Sequence, residues 1–416
     1  MTPLAPRDAL CHRRHAMAPA QPIPSSTRET RNHHPGMQYR RFGRTNLDLS
    51  VITLGGMRYH DGWSPPPNEL SGRMIEQCSD MVRRALALGV NHIETAKGYG
   101  KSEHCYGRVL NQELNVPRDS YYFMTKGAPE TADDMHRELE AQLKALRMDH
   151  IDLYAWHGIN TPRRYDVAVA KGGPVEVLRR YQEQGVIGSV GFSTHGSVRT
   201  ITDAIATGLF DFVNLHYYYF WQRNWGAVLQ AAARDMGVFI ISPNDKGGQL
   251  FKAPEQLRKL TAPLTPIQFN ARFCLKTPLV HTLSFGMSEP EHVEELRGVF
   301  PVSVPLSEGD LAIERRLDAQ VDALSSYDGY DLDGDPSGIN IPEVLRFRRL
   351  LKCYGMEEFG RYRYNMFNPT SEWFWGEFAT EANLEKVDRS RFPKGIPVIE
   401  MLRETHRELH APPKLS

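Results

Sequence analysis

The sequence predicts an α/β fold, a (β/α)8 barrel preceded by a β-hairpin and followed by a mostly helical domain. Three observations predict it. Eight short apolar segments recur over roughly 250 residues, the length of one such barrel. Helix-sized amphipathic segments separate them, and strands that alternate with helices pair in parallel. Beyond about residue 305 the strand-like runs stop and Tyr, Arg, Glu and Trp rise.

Residues 1–36 hold six prolines, several Arg and His, and almost no aliphatic run. They read as a disordered N-terminal tail, which an over-extended gene start would also produce, since Met37 opens the patterned sequence. Tyr39–Ser50 reads as two short strands around a Gly/Asn turn. The eight strand candidates follow: Val51–Gly55, Asn91–Thr95, Tyr121–Thr125, Ile151–His157, Gly188–Ser193, Phe212–Tyr217, Val238–Ser242 and His281–Gly286. Between them, Met81–Leu88, Arg137–Leu146 and Val175–Tyr181 carry apolar residues at helical spacing. An open doubly wound sheet is disfavoured, because Leu54-Gly55-Gly56-Met57 is too short for a glycine-rich dinucleotide fingerprint. The barrel is therefore assigned to 37–305 and the helical domain to 306–416, with helices over Leu306–Leu324 and Pro342–Tyr354. In this last domain Pro336-Ser337-Gly338-Ile339 and Pro393-Lys394-Gly395-Ile396 form two copies of a Pro/Gly turn feeding a helix, fifty-seven residues apart.

Composition narrows the function classes. Hydrophobic residues make up 41% and charged residues 24% of the 416-residue chain, as in a folded globule. Fifty basic side chains balance fifty acidic ones. That neutrality gives no global reason to bind nucleic acid or an anionic membrane, and no apolar run approaches the ~20 residues of a membrane span. The five cysteines include no CxxC pair, which disfavours a zinc ribbon, a disulfide framework and a redox relay through metal clusters. So few cysteines fit a reducing compartment, and a cytoplasmic location is expected. Asp331, Asp333 and Asp335 lack the glycine and glutamate of a calcium loop. His157, His195 and His216 lie on three different strand ends without an obvious carboxylate, a poor pattern for zinc.

A barrel carries its site at the carboxyl ends of the strands. There the sequence places Glu94, Tyr99, Lys126 and His157. A lysine beside a tyrosine favours the phenolate and lowers the phenol's pKa, a carboxylate holds the lysine, and a histidine donates to a substrate oxygen. Together they suggest proton transfer, with the tyrosine as general acid. The run Tyr217–Trp221 is expected to send about half its rings to the helices and the others to the pocket mouth.

In order and spacing, these motifs resemble the aldo-keto reductases. The resemblance runs from Tyr39 to about Leu296 and rests on Glu94-Thr95-Ala96…Tyr99, Thr125-Lys126, Asp149-His150-Ile151-Asp152-Leu153-Tyr154…His157 and Gly185–Ser193. It implies that Tyr99 donates the proton, that Lys126 lowers its pKa, that His157 orients the carbonyl, and that Glu94 stands in place of the family's aspartate. It implies a nicotinamide cofactor, NADP(H) first and NAD(H) next. Ser193, Thr194 and Asn214 would meet the nicotinamide amide. Ser242, Pro243, Lys246 and Gly247 would form the pyrophosphate loop. Gly286 and Glu295 would belong to the adenosine-end loop, with His292 where an arginine is frequent. The substrate implied is a small-molecule carbonyl, reduced by hydride transfer; the alternative is a non-catalytic nucleotide-binding or regulatory relative. The C-terminal domain resembles ferredoxin-like tails on one branch of this superfamily. Asp335 and Phe392 stand where cysteines are needed, so no iron–sulfur cluster is expected. The domain is also expected to cover the barrel mouth.

Overall fold

A computed structural model of the protein describes residues 29–321 and 334–410. Strands β1 (Tyr39–Arg41) and β2 (Asp48–Ser50) form an antiparallel hairpin. Eight parallel strands then close a barrel: β3 (Ile52–Gly55), β4 (His92–Glu94), β5 (Tyr122–Gly127), β6 (Ile151–His157), β7 (Ile187–Ser193), β8 (Phe212–Leu215), β9 (Gly237–Ile240) and β10 (Thr282–Phe285), with β10 pairing back to β3. All eight expected strands are present. The sixth expected strand ends earlier, at Leu215, because Tyr218 and Trp221 instead pair with each other in a tight turn.

Ten helices accompany the barrel: α1 (Gly72–Ala87), α2 (Ser102–Arg108), α3 (Ala132–Leu146), α4 (Pro162–Val169), α5 (Pro174–Glu183), α6 (Val198–Ala206), α7 (Trp225–Ala233), α8 (Glu255–Thr261), α9 (Pro266–Leu275) and α10 (Pro290–Arg297). Their starts are written in the sequence. Ser71, Thr131, Thr161, Ser197 and Thr265 each accept a hydrogen bond from a first-turn amide, and Gln268 completes a capping box with Thr265. Five further helices follow: α11 (Glu308–Asp318), α12 (Ile341–Tyr354), α13 (Glu357–Tyr364), α14 (Glu381–Leu384) and α15 (Val398–Leu409). The internal repeat is structural. Gly338 and Gly395 both take positive φ, and the Ile341 and Val398 amides donate to Ile339 and Ile396, so each copy makes the same turn into a helix.

The hairpin decides which end of the barrel is open. Phe42 is fully buried, stacks near Phe212 and His281, and packs with Leu49, Tyr122, Leu153 and Phe239 at the amino ends of the strands. Gly237 has no side chain because an added Cβ would sit 2.7 Å from the Phe42 ring. With that end plugged, the carboxyl ends are left for a ligand.

The expected tail divides. Residues 1–28 lie outside the described residues. Arg31 and Asn32 are anchored to the barrel: Arg31 donates to Tyr121 O at 2.6 Å and pairs with Asp152, and Asn32 Nδ2 donates to Leu86 O and Val90 O at 2.9 Å. The chain is thus held to the barrel several residues before Met37, by polar contacts that an aliphatic pattern does not reveal.

Candidate active site

Strand register brings the four expected residues together. Gly55 of β3 pairs with Glu94 of β4, and His157 of β6 pairs with Ser193 of β7. Lys126 leaves β5 one residue before its end. Glu94, Tyr99, Lys126 and His157 all line one open cavity of about 1510 Å³.

Lys126 and Glu94 form a buried ion pair, exposed by 1% and 5%. The ammonium also donates to Thr95 O at 2.7 Å, and Ser284 Oγ donates to Glu94 Oε1 at 2.7 Å. These extra bonds offset the desolvation that a buried pair must bear. Glu94 is one methylene longer than aspartate, and the space for it comes from Gly55 and the small Ser284. A Cβ on Gly55 would lie 3.0 Å from Glu94 Oε1. Below the pair, Thr125 and Gln142 both donate to Glu103, Tyr154 donates to Gln142, and Gln142 reaches Lys126 O, fixing the strand that carries the lysine.

Tyr99 sits in the turn after β4. The Lys126 ammonium is 5.0 Å from its ring centroid, and the His157 ring stands edge-on at 5.9 Å. The phenol is raised well above its ordinary value, by burial first and by the Glu94 charge second. This corrects the expectation that Lys126 lowers it: the ammonium faces the ring and is committed to Glu94, so desolvation wins. Tyr99 is therefore a protonated donor throughout the neutral range. His157 is held well below its usual value by burial, with Lys126, Arg164 and Lys246 adding to the effect. Its imidazole is neutral, and a neutral imidazole has one N–H to donate.

The cofactor residues divide. Ser193, Ser242, Lys246, Gly247 and Gly286 line the cavity. Thr194, Asn214, Pro243 and Glu295 do not. Thr194 Oγ1 is spent on Ile159 O, and Pro243 O accepts from Asn270. The Glu295 carboxylate turns to Thr265, away from the expected adenosine end. Asn214 is buried beside Ser193, its register partner; its Nδ2 reaches Met124 Sδ and its Oδ1 has no partner among the described residues. Gly247 and Gly248 have positive φ, and a Cβ on Gly248 would meet Arg58 Nη1 at 2.2 Å. The cavity's size and this glycine loop fit a nicotinamide nucleotide.

Several site residues escape sequence reasoning. Arg58 follows the Gly55-Gly56 turn, lines the cavity and donates to Gly286 O at 3.2 Å. His292 stacks on Phe251 at 3.7 Å, accepts from the Ser288 and Glu289 amides, and is lowered to about 4 by burial first and the Arg58 charge second. Trp373 comes from the C-terminal domain and lies 5.0 Å from His157, ring centroid to centroid, so that domain does reach the barrel mouth. None of Tyr217–Trp221 lines this cavity. All five are buried, and Tyr217 and Tyr219 pack on Phe273. Asp335 accepts from Ser337 in its own turn and from the Asp388 amide at 3.3 Å; Asp331 and Asp333 lie outside the described residues. Among the described residues, no group of three or more His, Cys, Asp or Glu is placed to hold a metal ion, and no helix is long and apolar enough to cross a membrane.

Residues 51–244 match the profile of the Aldo/keto reductase family. The matched stretch runs from β3 to the loop after β9, most of the barrel. The chain is 28% identical over 153 residues to D-arabinose 1-dehydrogenase of Saccharomyces cerevisiae, covering 35% of this chain and 43% of that one. It is 31% identical over 147 residues to methylglyoxal reductase DkgA of Escherichia coli, covering 34% and 50%. The chain thus spans half or less of these two curated relatives. Among solved structures, an aldo-keto reductase of Bacillus halodurans in its holo form superimposes with a TM-score of 0.55 at 19% identity, covering 67% of this chain and 96% of that one. An aldo-keto reductase of Klebsiella pneumoniae in complex with NADPH gives 0.52 at 20%, covering 67% and 94%. These two show the shared fold.

Proposed function

We propose that the protein is an NAD(P)H-dependent carbonyl reductase, with Tyr99 as the general acid. The observation that carries this reading is the convergence of Tyr99, Lys126, His157 and Glu94 on a cavity that runs on to the Ser242–Gly248 loop. A reduced nicotinamide nucleotide, when bound, supplies the hydride. Ser193 would hold its carboxamide, and the Gly247 amide with Arg58 would hold its phosphates. Tyr99 and His157 would each donate a hydrogen bond to the substrate oxygen. The Tyr99 proton passes to that oxygen as negative charge develops on it. Lys126 keeps positive charge next to the phenol that is losing its proton, and Glu94 and Thr95 keep Lys126 in place. NADP(H) is the first choice and NAD(H) the second. The substrate is a small aldehyde or ketone that enters past Trp63 and Trp373.

Titration of purified protein with NADPH and NADH, then a carbonyl panel with the tighter one, tests this. Saturable binding with turnover of at least one carbonyl supports it. Tight binding with no turnover would favour a non-catalytic relative, and no nucleotide binding at all would defeat both readings.

A further inference from the structure

A second cavity, of about 490 Å³, lies between the barrel and the C-terminal domain. Trp373, His195 and Lys246 line both cavities and form the wall between them. Its polar lining is rich in donors, with Glu343 Oε1 as a buried acceptor that has no hydrogen-bond partner among the described residues. Asn160 Nδ2, His216 Nδ1, Trp221 Nε1, Arg223 Nε and Arg363 Nε are buried donor atoms on residues that line it, and none has a partner among the described residues. His216, Trp221 and Arg363 are exposed by only 1%, 4% and 8%.

The state of His216 follows from its neighbours. Lys246 Nζ lies 3.2 Å from His195 Nε2, and His195 Nδ1 lies 2.7 Å from His216 Nε2. Burial lowers Lys246 to about 7; in its charged form it only donates, so His195 then accepts at Nε2 and donates from Nδ1. That leaves His216 protonated at Nδ1, the unpartnered atom. Both imidazoles are held neutral, chiefly by burial.

The lining carboxylates are already engaged. Glu343 pairs with Arg223 at 3.0 Å and Arg346 at 3.1 Å, and Glu372 with Arg163 at 2.7 Å and Arg164 at 3.0 Å. Arg363 has no carboxylate partner among the described residues; its contacts are the Phe374 ring and Met366 Sδ. First-turn residues of α4, α6 and α12 also line the space: Pro162, Val198 and Pro342. Three helix N-termini there add positive potential. Trp373, Trp375 and Phe367 supply apolar walls, whereas the Trp221 ring is already covered by His216 at 4.3 Å and Arg346 at 4.1 Å.

Buried donors without acceptors are costly, and here they surround one space. We propose that this cavity is a second ligand site, taking a small organic anion with a carboxylate or phosphate head and a flat unsaturated body. The head takes the Arg363 and His216 donors, and the body lies against the tryptophans. Because Trp373 touches both this space and His157, the occupant sits one ring away from the catalytic histidine.

The test is calorimetric titration of the full chain with phenyl phosphate, benzoate and inorganic phosphate, each with and without saturating NADPH. The result expected is 1:1 binding of phenyl phosphate or benzoate at an affinity that NADPH leaves unchanged. The tighter of the two identifies the head. Arg363→Met and His216→Phe, the second keeping a ring on Trp221, should each weaken binding about tenfold or more. Absence of saturable binding by the wild-type protein overturns the proposal, as does binding abolished by NADPH or unaffected by both variants. Inorganic phosphate binding as tightly as phenyl phosphate overturns the aromatic part. No arm measures reduction, so failure of the reductase reading and failure of this one are separable.

Discussion

Replacing Lys126 by Met leaves Glu94 as a carboxylate exposed by only 5%, with Ser284 Oγ at 2.7 Å as its remaining hydrogen-bond donor. Breaking a buried pair by removing one partner costs about 3–5 kcal/mol, because the other charge is left uncompensated. Glu94→Gln should cost a similar amount, since the buried ammonium then has only neutral acceptors, the new amide oxygen and Thr95 O at 2.7 Å. The double variant strands no charge, and a buried pair replaced by neutral groups of similar volume is often close to neutral in stability. The two single losses therefore sum to roughly 6–10 kcal/mol, whereas the double loss stays near that of one single variant or below it. Urea denaturation followed by circular dichroism on all four proteins measures the cycle. Double-variant losses that equal the sum of the singles within about 0.5 kcal/mol would show that the two side chains do not depend on each other.

Three further outcomes are expected. Gly55→Ala places a Cβ 2.9 Å from Ser284 Oγ and 3.0 Å from Glu94 Oε1; it should destabilise by about 1–3 kcal/mol and lower kcat, and unchanged values of both would mean that Glu94 needs no such clearance. His92 is buried and His281 half-buried; both are neutral, lowered chiefly by desolvation to about 3 and about 4. The unfolded chain protonates both below its ordinary value of about 6.5, so stability holds above that pH and falls by up to ~1.4 kcal/mol per unit per histidine between there and about 4; a urea midpoint constant from pH 7 to 4.5 would contradict this. Trp373→Ala should raise KM for the carbonyl substrate and leave NADPH affinity unchanged, and steady-state kinetics with no change in KM would place Trp373 off the substrate path.

The strands and the four central residues were readable because their signals are local. A parallel barrel repeats one short apolar segment after another, and its site must sit at the ends of those segments. The long-range contributions were not readable. Arg58 and Trp373 meet the site only after folding, from opposite ends of the chain. The direction of the Tyr99 shift depends on burial and on where the ammonium points, which the residue types do not encode. The aromatic run misled because strand alternation stops at Leu215, and the turn after it buries every ring. Glu295 misled because a helix position does not say which way a carboxylate turns.

The central claim is that Tyr99 supplies the proton, and turnover of the Tyr99→Phe variant tests it most directly. On the best carbonyl substrate, kcat should fall by about 100-fold or more, with NADPH affinity close to that of the unaltered protein. A variant that kept full activity would contradict the assignment of Tyr99 as the acid.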